Sequence, residues 1–389
     1  MNLIQKKNKE IKNNNNSYKE FQDEIQNENM EEINNNKNNK IIKILTYNFF
    51  LRPPPIKTNK NDYKEERLKD FFLLLNKFSI ICFQEIFGAI HNRKHKMIKK
   101  AIENGFYYII KSKTPSFFSK YLIDGGLLIL SKFPIIESKY ITFNYGILSD
   151  SLCMKGAIFA KIKIFDFYLC LFTTHLQASY CDSGNFYWEL SIKVRTEQCE
   201  KLINFIYNII FNIPIQDIKK CKFILVGDLN IDAHNYITIR DKYNLSKGII
   251  SEYDCLKKKL NKLGKAIDLL EKKFNGHPYT FGVNDDGYDQ VLTSKADFNC
   301  KQTLDYMWEI IPDLSLPIYK KDNDNSSKLE FINIDDSKIN DNNYYEKSCQ
   351  LKILYDSPEV EKFLIKNKPY QQLSDHFGLS VELSINNDL

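Results

Sequence analysis

Long apolar runs are missing from this 389-residue chain. The longest, such as Phe165 to Phe172, have strand length, whereas a membrane-spanning helix needs roughly 20 residues, so no transmembrane span is expected. A secretory leader is missing too. Met1-Asn2-Leu3-Ile4 runs at once into Gln5, Lys6 and Lys7 with no apolar core, so secretion is not expected. No short Cys-x-x-Cys pair occurs, which removes the usual zinc-knuckle signature. The nine cysteines are odd in number and irregularly spaced, unlike a disulfide scaffold. Cys82, Cys170 and Cys221 lie inside apolar runs, as buried thiols of a reducing compartment do. Strong charge of one sign is lacking. Lys and Arg number 55 against 49 Asp and Glu, and the resulting +6 is spread over the chain. That balance favours anionic partners weakly and gives no nucleic-acid stripe, so no nucleic acid is expected. The Gly-rich phosphate loop ending in Lys-Ser/Thr is absent as well.

What is present suits a folded protein. Hydrophobic residues make up 43%, which excludes a wholly disordered chain. Residues 1–40 are the exception: asparagine runs at 13–16 and 34–36, among Lys, Glu and Gln, read as a disordered low-complexity tail. From Ile41 to residue 389 the pattern reads as a single domain, with a polar surface insertion near 320–345. Strand candidates are 41–49, 80–83, 127–130, 156–164, 167–173, 222–226, 303–308 and 378–383. Helices are expected over 63–77 and 192–209, from the apolar spacing of Leu68, Phe71, Phe72 and Leu75 and of Val194, Leu202, Phe205, Ile206 and Ile209. Strands outnumber long helices after residue 120, which favours an α/β sandwich over a doubly wound sheet.

One pattern recurs at the strand ends. Asn48 follows Ile44-Leu45-Thr46-Tyr47, and Glu85 follows Ile81-Cys82-Phe83-Gln84. His175 follows Leu171-Phe172-Thr173-Thr174, while Asp228 and Asn230 follow Ile224-Leu225-Val226-Gly227. Asp305 follows Leu304, and Asp375-His376 precedes Phe377-Gly378-Leu379. A single Asn or Asp after a strand is ordinarily a turn former or a helix cap. Carboxylates, amides and two histidines repeated at so many strand ends point instead to one rigid site. Oxygen donors such as Asn48 and Glu85 suit Mg²⁺. Asp228 can hold an attacking water or join a second ion, and Asn230 can donate to a phosphoryl oxygen. A histidine oriented by Asp305 can act as general base. Together these parts suit metal-assisted hydrolysis of a phosphate ester.

These segments resemble the endonuclease/exonuclease/phosphatase (DNase I-like) superfamily. The stretches that carry the likeness are Leu45-Thr46-Tyr47-Asn48, Cys82-Phe83-Gln84-Glu85, Gly227-Asp228-Leu229-Asn230, Leu304-Asp305-Tyr306 and Ser374-Asp375-His376, in the family's order. The resemblance implies a four-layer α/β/β/α sandwich with the site at one end. Within the superfamily the neutral sphingomyelinase branch is the nearest in pattern. Thr174-His175-Leu176-Gln177-Ala178 resembles its segment after the central strand. Arg195 and Gln198 fit its spacing, and Asp150 with Lys155 resembles its paired Asp and Lys. The likeness implies Glu85 as main Mg²⁺ ligand with Asn48 and Asp375 assisting, and Mn²⁺ as a possible substitute. His376 is then the base held by Asp305, with Asp228 and Asn230 positioning water and phosphate. His175 and Lys155 meet phosphate oxygens, and Asp150 controls Lys155. The implied reaction converts membrane sphingomyelin to ceramide and phosphocholine in a cytoplasmic, peripherally membrane-associated enzyme. Oligomeric state is left open.

A lipid substrate requires contact with a bilayer. Residues 106–122 are rich in Phe, Tyr and Ile with interspersed lysines. They read equally as a loop entering the headgroup region of anionic lipid or as a core segment. Tyr180, Phe186, Tyr187 and Trp188 are candidates for an aromatic cage around choline. The rival readings are a metal-dependent nuclease or a phosphoinositide phosphatase of the same superfamily, and a noncatalytic lipid-binding protein on this fold.

Overall fold

The computed structural model describes residues 41–54, 56, 61–88, 91–179, 185–234, 251–282, 291–293, 300–315 and 351–385. The expected 1–40 tail, the 320–345 insertion, Tyr180 and the Phe186 side chain lie outside the described residues.

The first sheet is built from β1 (Ile42–Leu51), β2 (Ile80–Ile86), β3 (Tyr108–Lys111), β4 (Leu128–Ser131), β13 (Leu351–Ile353), β14 (Glu359–Glu361) and β15 (Gly378–Ile385). Its order is β13-β15-β1-β2-β4-β3, with β14 also on β15. The second sheet contains β5 (Ile135–Thr142), β6 (Gly156–Ile164), β7 (Phe167–His175), β8 (Cys221–Asp228), β9 (Gly264–Asp268) and β12 (Asp305–Pro312). Its order is β5-β6-β7-β8-β12-β9, and a short pair joins β10 (Phe281–Gly282) to β11 (Lys301–Gln302).

Period-2 alternation sorts the strands' side chains between two faces. Ile42, Ile44, Ile80, Cys82 and Ile129 of the first sheet meet Ile158, Leu169, Leu171, Ile224, Val226 and Met307 of the second in one apolar layer. On the first sheet's outer face, Leu45, Tyr47, Phe49 and Phe83 pack on Leu68 and Phe71 of helix α1 (Lys64–Phe72) and Met97 of α2 (Arg93–Glu103). On the second sheet's outer face, Phe159, Phe172, Phe223 and Trp308 pack on Leu202 and Ile206 of α3 (Asn185–Ile210) and Leu256 of α4 (Glu252–Leu260). Helix, sheet, sheet and helix give the four-layer sandwich that the family resemblance implies, and an α/β sandwich as the strand-rich sequence favours.

The helix bounds differ from expectation in two places. The first helix stops at Phe72 and a separate 3₁₀ turn follows at Leu75–Lys77, because Leu73 is solvent-exposed and its N–H bonds back to Asp70 O. The third starts seven residues before Ile192, at Asn185. Cys82, Cys170 and Cys221 are fully buried, and no disulfide forms among the seven described cysteines. Among the described residues no helix is long and apolar enough to cross a membrane.

Strand direction gathers the polar ends at one edge of the sandwich. β1 and β2 are parallel, so Asn48 and Gln84 end up side by side. β7 and β8 are parallel too, with His175 opposite Asp228. β12 runs antiparallel to β8 and places its first residue, Asp305, opposite Asp228. β15 runs antiparallel to β1, so the Asp375-His376 turn just before it falls beside the end of β1.

Candidate active site

The site continues the inner apolar layer. Ile44-Thr46-Asn48, Leu171-Thr173-His175 and Ile224-Val226-Asp228 each follow one face of a strand, and Met307-Asp305 does so in reverse. Along every one of these faces the residues turn from aliphatic to polar at the same end. A hydrogen-bonded belt marks the change: Gln84 Nε2 donates to Thr46 Oγ1 and to Thr173 Oγ1, each at 3.1 Å, tying the two sheets together.

Alternation from Phe83 would place Glu85 on the outer face. A bulge redirects it. Asn48 pairs with Gln84 and Leu51 with Ile86, so β1 carries one residue more than β2 across this interval. Phe50 and Glu85 adopt left-handed backbone at φ 52° and 56°, and Phe83 and Ile86 both point outward although three positions apart. Such strained backbone in a non-glycine residue costs on the order of 1–3 kcal/mol and re-aims a side chain. The C=O of Gly126 accepts from Ile86 N at 3.0 Å, and Gly126 (φ +69°) leaves room where a Cβ would come within 3.1 Å of Glu85 Cα.

The structure brings Asn48, Glu85, Lys155, His175, Asp228, Asp305 and His376 into one cleft. Asn48 Nδ2 reaches Asp228 Oδ2 at 2.8 Å, Glu85 Oε1 at 3.2 Å and His376 Nε2 at 3.4 Å. His376 Nδ1 lies 2.8 Å from Asp305 Oδ2, and its Nε2 lies 3.8 Å from Asp228 Oδ2. On the other wall His175 Nε2 is 3.4 Å from Asp228 Oδ2 and 4.0 Å from Glu85 Oε1. Lys155 Nζ donates to Asp150 Oδ2 and to Leu176 O, each at 2.7 Å, and lies 3.1 Å from His175 Nε2.

Three expected contacts take a different form. The Asn48 amide presents its NH₂ to the cleft and its Oδ1 accepts from Phe50 N at 3.1 Å, so ligation of a cation by Asn48 requires the amide to turn over. Asn230, at φ 52°, donates Nδ2 to Leu176 O at 3.2 Å, and its N–H bonds Asp228 Oδ1 at 2.9 Å. Lys155 is almost fully buried and donates to Asp150 Oδ2 and Leu176 O with His175 Nε2 also close, so reaching a phosphate oxygen requires it to leave one of these contacts. Asp375 is buried with its Oδ1 3.2 Å from Ser374 Oγ, within the field of Glu85. Arg195 and Gln198 brace the segment after His175 through Gln177 O and Gln177 N. Trp188, a choline-cage candidate, is buried at 4% exposure, and Tyr187 is half-buried.

Electrostatics divide the two histidines. Burial alone would lower His376, but Asp305, Asp228 and Asp375 outweigh it and hold the imidazole well above its ordinary value. Burial, Lys155 and His376 push His175 well below. Burial raises Asp228 to about 7, aided by Asp305, and raises Asp375 to about 7, aided by Glu85. Four carboxylates thus crowd one buried site, and Glu85 Oε2 is buried with no hydrogen-bond partner. Ligand atoms of Asp228, Asp305 and His376 also lie within 4.8 Å of one another. An orphaned carboxylate oxygen among oxygen donors is the set a hard divalent cation needs.

Several supporting residues gave no signal in the sequence. Arg67 is fully buried. It donates to Phe49 O at 3.1 Å and Phe50 O at 2.9 Å, to Asp62 O at 2.8 Å, and to Leu373 O at 2.6 Å, tying the end of β1 to the turn that carries His376. Thr280 Oγ1 accepts from Asp305 N at 3.1 Å and from Leu304 N at 2.9 Å. The neighbouring Phe281 ring lies 4.8 Å from the His376 ring. Thr280 and Arg67 act through backbone groups, which composition and spacing do not reveal.

No protein-family model matches the chain. Sphingomyelinases and phospholipases C are among its homologues and structural neighbours. A sphingomyelinase of Dictyostelium discoideum is 26% identical over 89% of this chain and 99% of its own length. A sphingomyelinase C of Bacillus cereus is 26% identical over 89% of this chain and 90% of its own. Among solved structures, a beta toxin of Staphylococcus aureus with bound magnesium ions aligns with a TM-score of 0.55 and 18% identity over 88% of this chain and 99% of that one. The fold is the DNase I-like one.

Proposed function

We propose that the chain is a Mg²⁺-dependent sphingomyelin phosphodiesterase of the phospholipase C type. One observation carries the reading: the His376–Asp305 pair and the unpartnered oxygen of Glu85 face the same cleft, joined by the Asn48 amide. Full-length likeness to sphingomyelinases supports it.

Glu85, with Asn48 once its amide turns over and with Asp375 nearby, would hold the cation, and Mn²⁺ suits the same donors. The cation would supply Lewis-acid stabilisation of charge on the phosphoryl and leaving oxygens. Asp375, one of the carboxylates that raise His376, would face the cation, and its pull on the imidazole would be offset, which helps Nε2 accept a proton. His376 then takes that proton from the attacking water while Asp305 fixes the Nδ1–H tautomer. The water oxygen bonds to phosphorus, the bond from phosphorus to the ceramide oxygen breaks, and that oxygen takes a proton from solvent. Asp228 and Asn230 orient the water and phosphate. His175, with Lys155 behind it and Asp150 holding Lys155, supports developing charge on the phosphoryl oxygens. No serine or cysteine nucleophile is needed.

The test is turnover of sphingomyelin, lyso-platelet-activating factor, a phosphoinositide and DNA, each with Mg²⁺ or EDTA. Phosphocholine release from sphingomyelin that EDTA abolishes is the expected result. DNA cleavage without sphingomyelin turnover selects the nuclease reading, and lipid binding without any Mg²⁺-dependent release selects a noncatalytic one.

A further inference from the structure

The rim of the cleft carries a feature that the chemistry does not use. The segment from Lys111 to Leu122 contains three lysines and no acidic residue. Its tip holds Phe117 and Phe118, 96% and 95% exposed, with rings edge-on at 5.4 Å. Leu122 is 68% exposed. Beside it the 3₁₀ turn Leu148–Leu152 exposes Leu148 and Leu152. The two loops are one unit. Leu122 N and Ile123 N donate to Leu152 O at 2.9 and 3.2 Å, Met154 N donates to Ile123 O at 3.0 Å, and Tyr121 Oη donates to Phe143 O at 2.8 Å.

This unit also carries Asp150 and leads directly into Lys155, so it borders the cleft. Scattered exposed leucines need no explanation, but two adjacent, almost fully exposed phenylalanines beside three further apolar side chains do. The core alternative accounts for Phe106, which is buried, and not for Phe117 or Phe118. Charge selects the occupant. Lys111, Lys113 and Lys120 are exposed, and the one acid of the neighbouring turn, Asp150, is buried against Lys155. Lys113 Nζ lies 3.7 Å from the centre of the Tyr140 ring and Lys120 Nζ 5.1 Å from that of Tyr121, so both ammonium groups sit beside aromatic rings, as at a headgroup interface.

We propose that these two loops form a docking platform for an anionic phospholipid bilayer. The phenylalanine tip enters the acyl boundary, the lysines meet acidic headgroups, and the Asp150–Lys155 side of the cleft is presented to lipid. The inference deepens the lipid-phosphodiesterase reading and rests on it for its purpose, though not for its geometry.

Three measurements test it. Sedimentation with phosphatidylcholine vesicles, with and without phosphatidylserine and free of sphingomyelin, reads docking alone. Turnover on sphingomyelin vesicles reads docking and chemistry together. Turnover on a water-soluble, short-chain sphingomyelin reads chemistry and folding alone. The double substitution Phe117→Ser, Phe118→Ser is expected to weaken vesicle binding and vesicle turnover on the order of 10²-fold, as removal of two phenylalanines from an apolar phase requires, with soluble-substrate turnover unchanged. Replacing Lys111, Lys113 and Lys120 by Gln is expected to remove the preference for phosphatidylserine. Wild-type vesicle affinity in the double variant overturns the proposal. So does a lipid-free dimer of the native chain that the double variant loses, since the platform then binds a second copy. A native protein that docks through Phe117 and Phe118 but cleaves neither substrate leaves the platform standing and sinks the phosphodiesterase reading.

Discussion

Asp305→Asn isolates the role of the carboxylate behind His376. The Nδ1–Oδ2 separation is 2.8 Å in a buried site. At an effective dielectric of about 20, an imidazolium and a carboxylate that close attract by roughly 6 kcal/mol. About half of that is felt when the proton is half-transferred, roughly 3 kcal/mol, which corresponds to a rate loss on the order of 10²-fold. An asparagine that turns its NH₂ toward Nδ1 also favours the wrong tautomer and deepens the loss. Stability should fall as well, because Asp305 is the main group holding His376 above its ordinary value, and losing that pairing outweighs the relief of its repulsion with Asp228. The assay is steady-state phosphocholine release with saturating Mg²⁺, beside a thermal melt. The double substitution with His376→Ala should be no slower than His376→Ala alone, since both act through one proton transfer. A kcat above one tenth of native for Asp305→Asn, or a multiplicative loss in the double variant, refutes the reasoning.

His376→Ala should keep the fold and lose at least ~10²-fold in rate, as removal of a general base does; a near-native rate in the same assay rejects the role. Glu85→Gln should abolish the rise in melting temperature that Mg²⁺ gives the native protein, read by thermal shift with and without EDTA. Arg67→Met strips hydrogen bonds from four backbone carbonyls in a buried site, so a loss of roughly 4–8 kcal/mol is expected, measured as the urea midpoint. An unchanged midpoint would show that water replaces the guanidinium. Gly227→Ala places a Cβ 2.1 Å from Thr174 O at φ +138°, so it should part β7 from β8 and yield little folded protein in an expression and melting screen.

Much of the architecture was legible because it rests on alternation. The runs ending in Asn48, His175 and Asp228 show apolar residues on both faces, as strands covered on both sides must, and those strands are the inner ones of the two sheets. The change from aliphatic to polar at their ends could be read one strand at a time. Convergence could not, since it depends on β1 lying parallel to β2, β7 parallel to β8, and β12 antiparallel to β8. It depends as well on how the two sheets face each other, which brings Asn48 of one onto Asp228 of the other across 180 positions of sequence. The reading of 106–122 as core or interface was undecided for a similar reason. Phe106 and Phe118 look alike in composition, and only the edge strand β3 between them separates a core position from a solvent one.

Glu85 shows where sequence periodicity stops being informative. Counted from Phe83, its side chain belongs among the rings packed on α1, where an unpaired carboxylate would be untenable. Two left-handed residues and one extra position in β1 turn it into the cleft, and Gly126 leaves the space for that turn. The strain is local and fixed by backbone pairing on both sides, so it holds Glu85 in place before any ligand arrives. A carboxylate held against its strand's own parity, with one oxygen unpartnered, has no role in packing. That combination, more than its place in a motif, marks Glu85 as the residue around which the site is arranged.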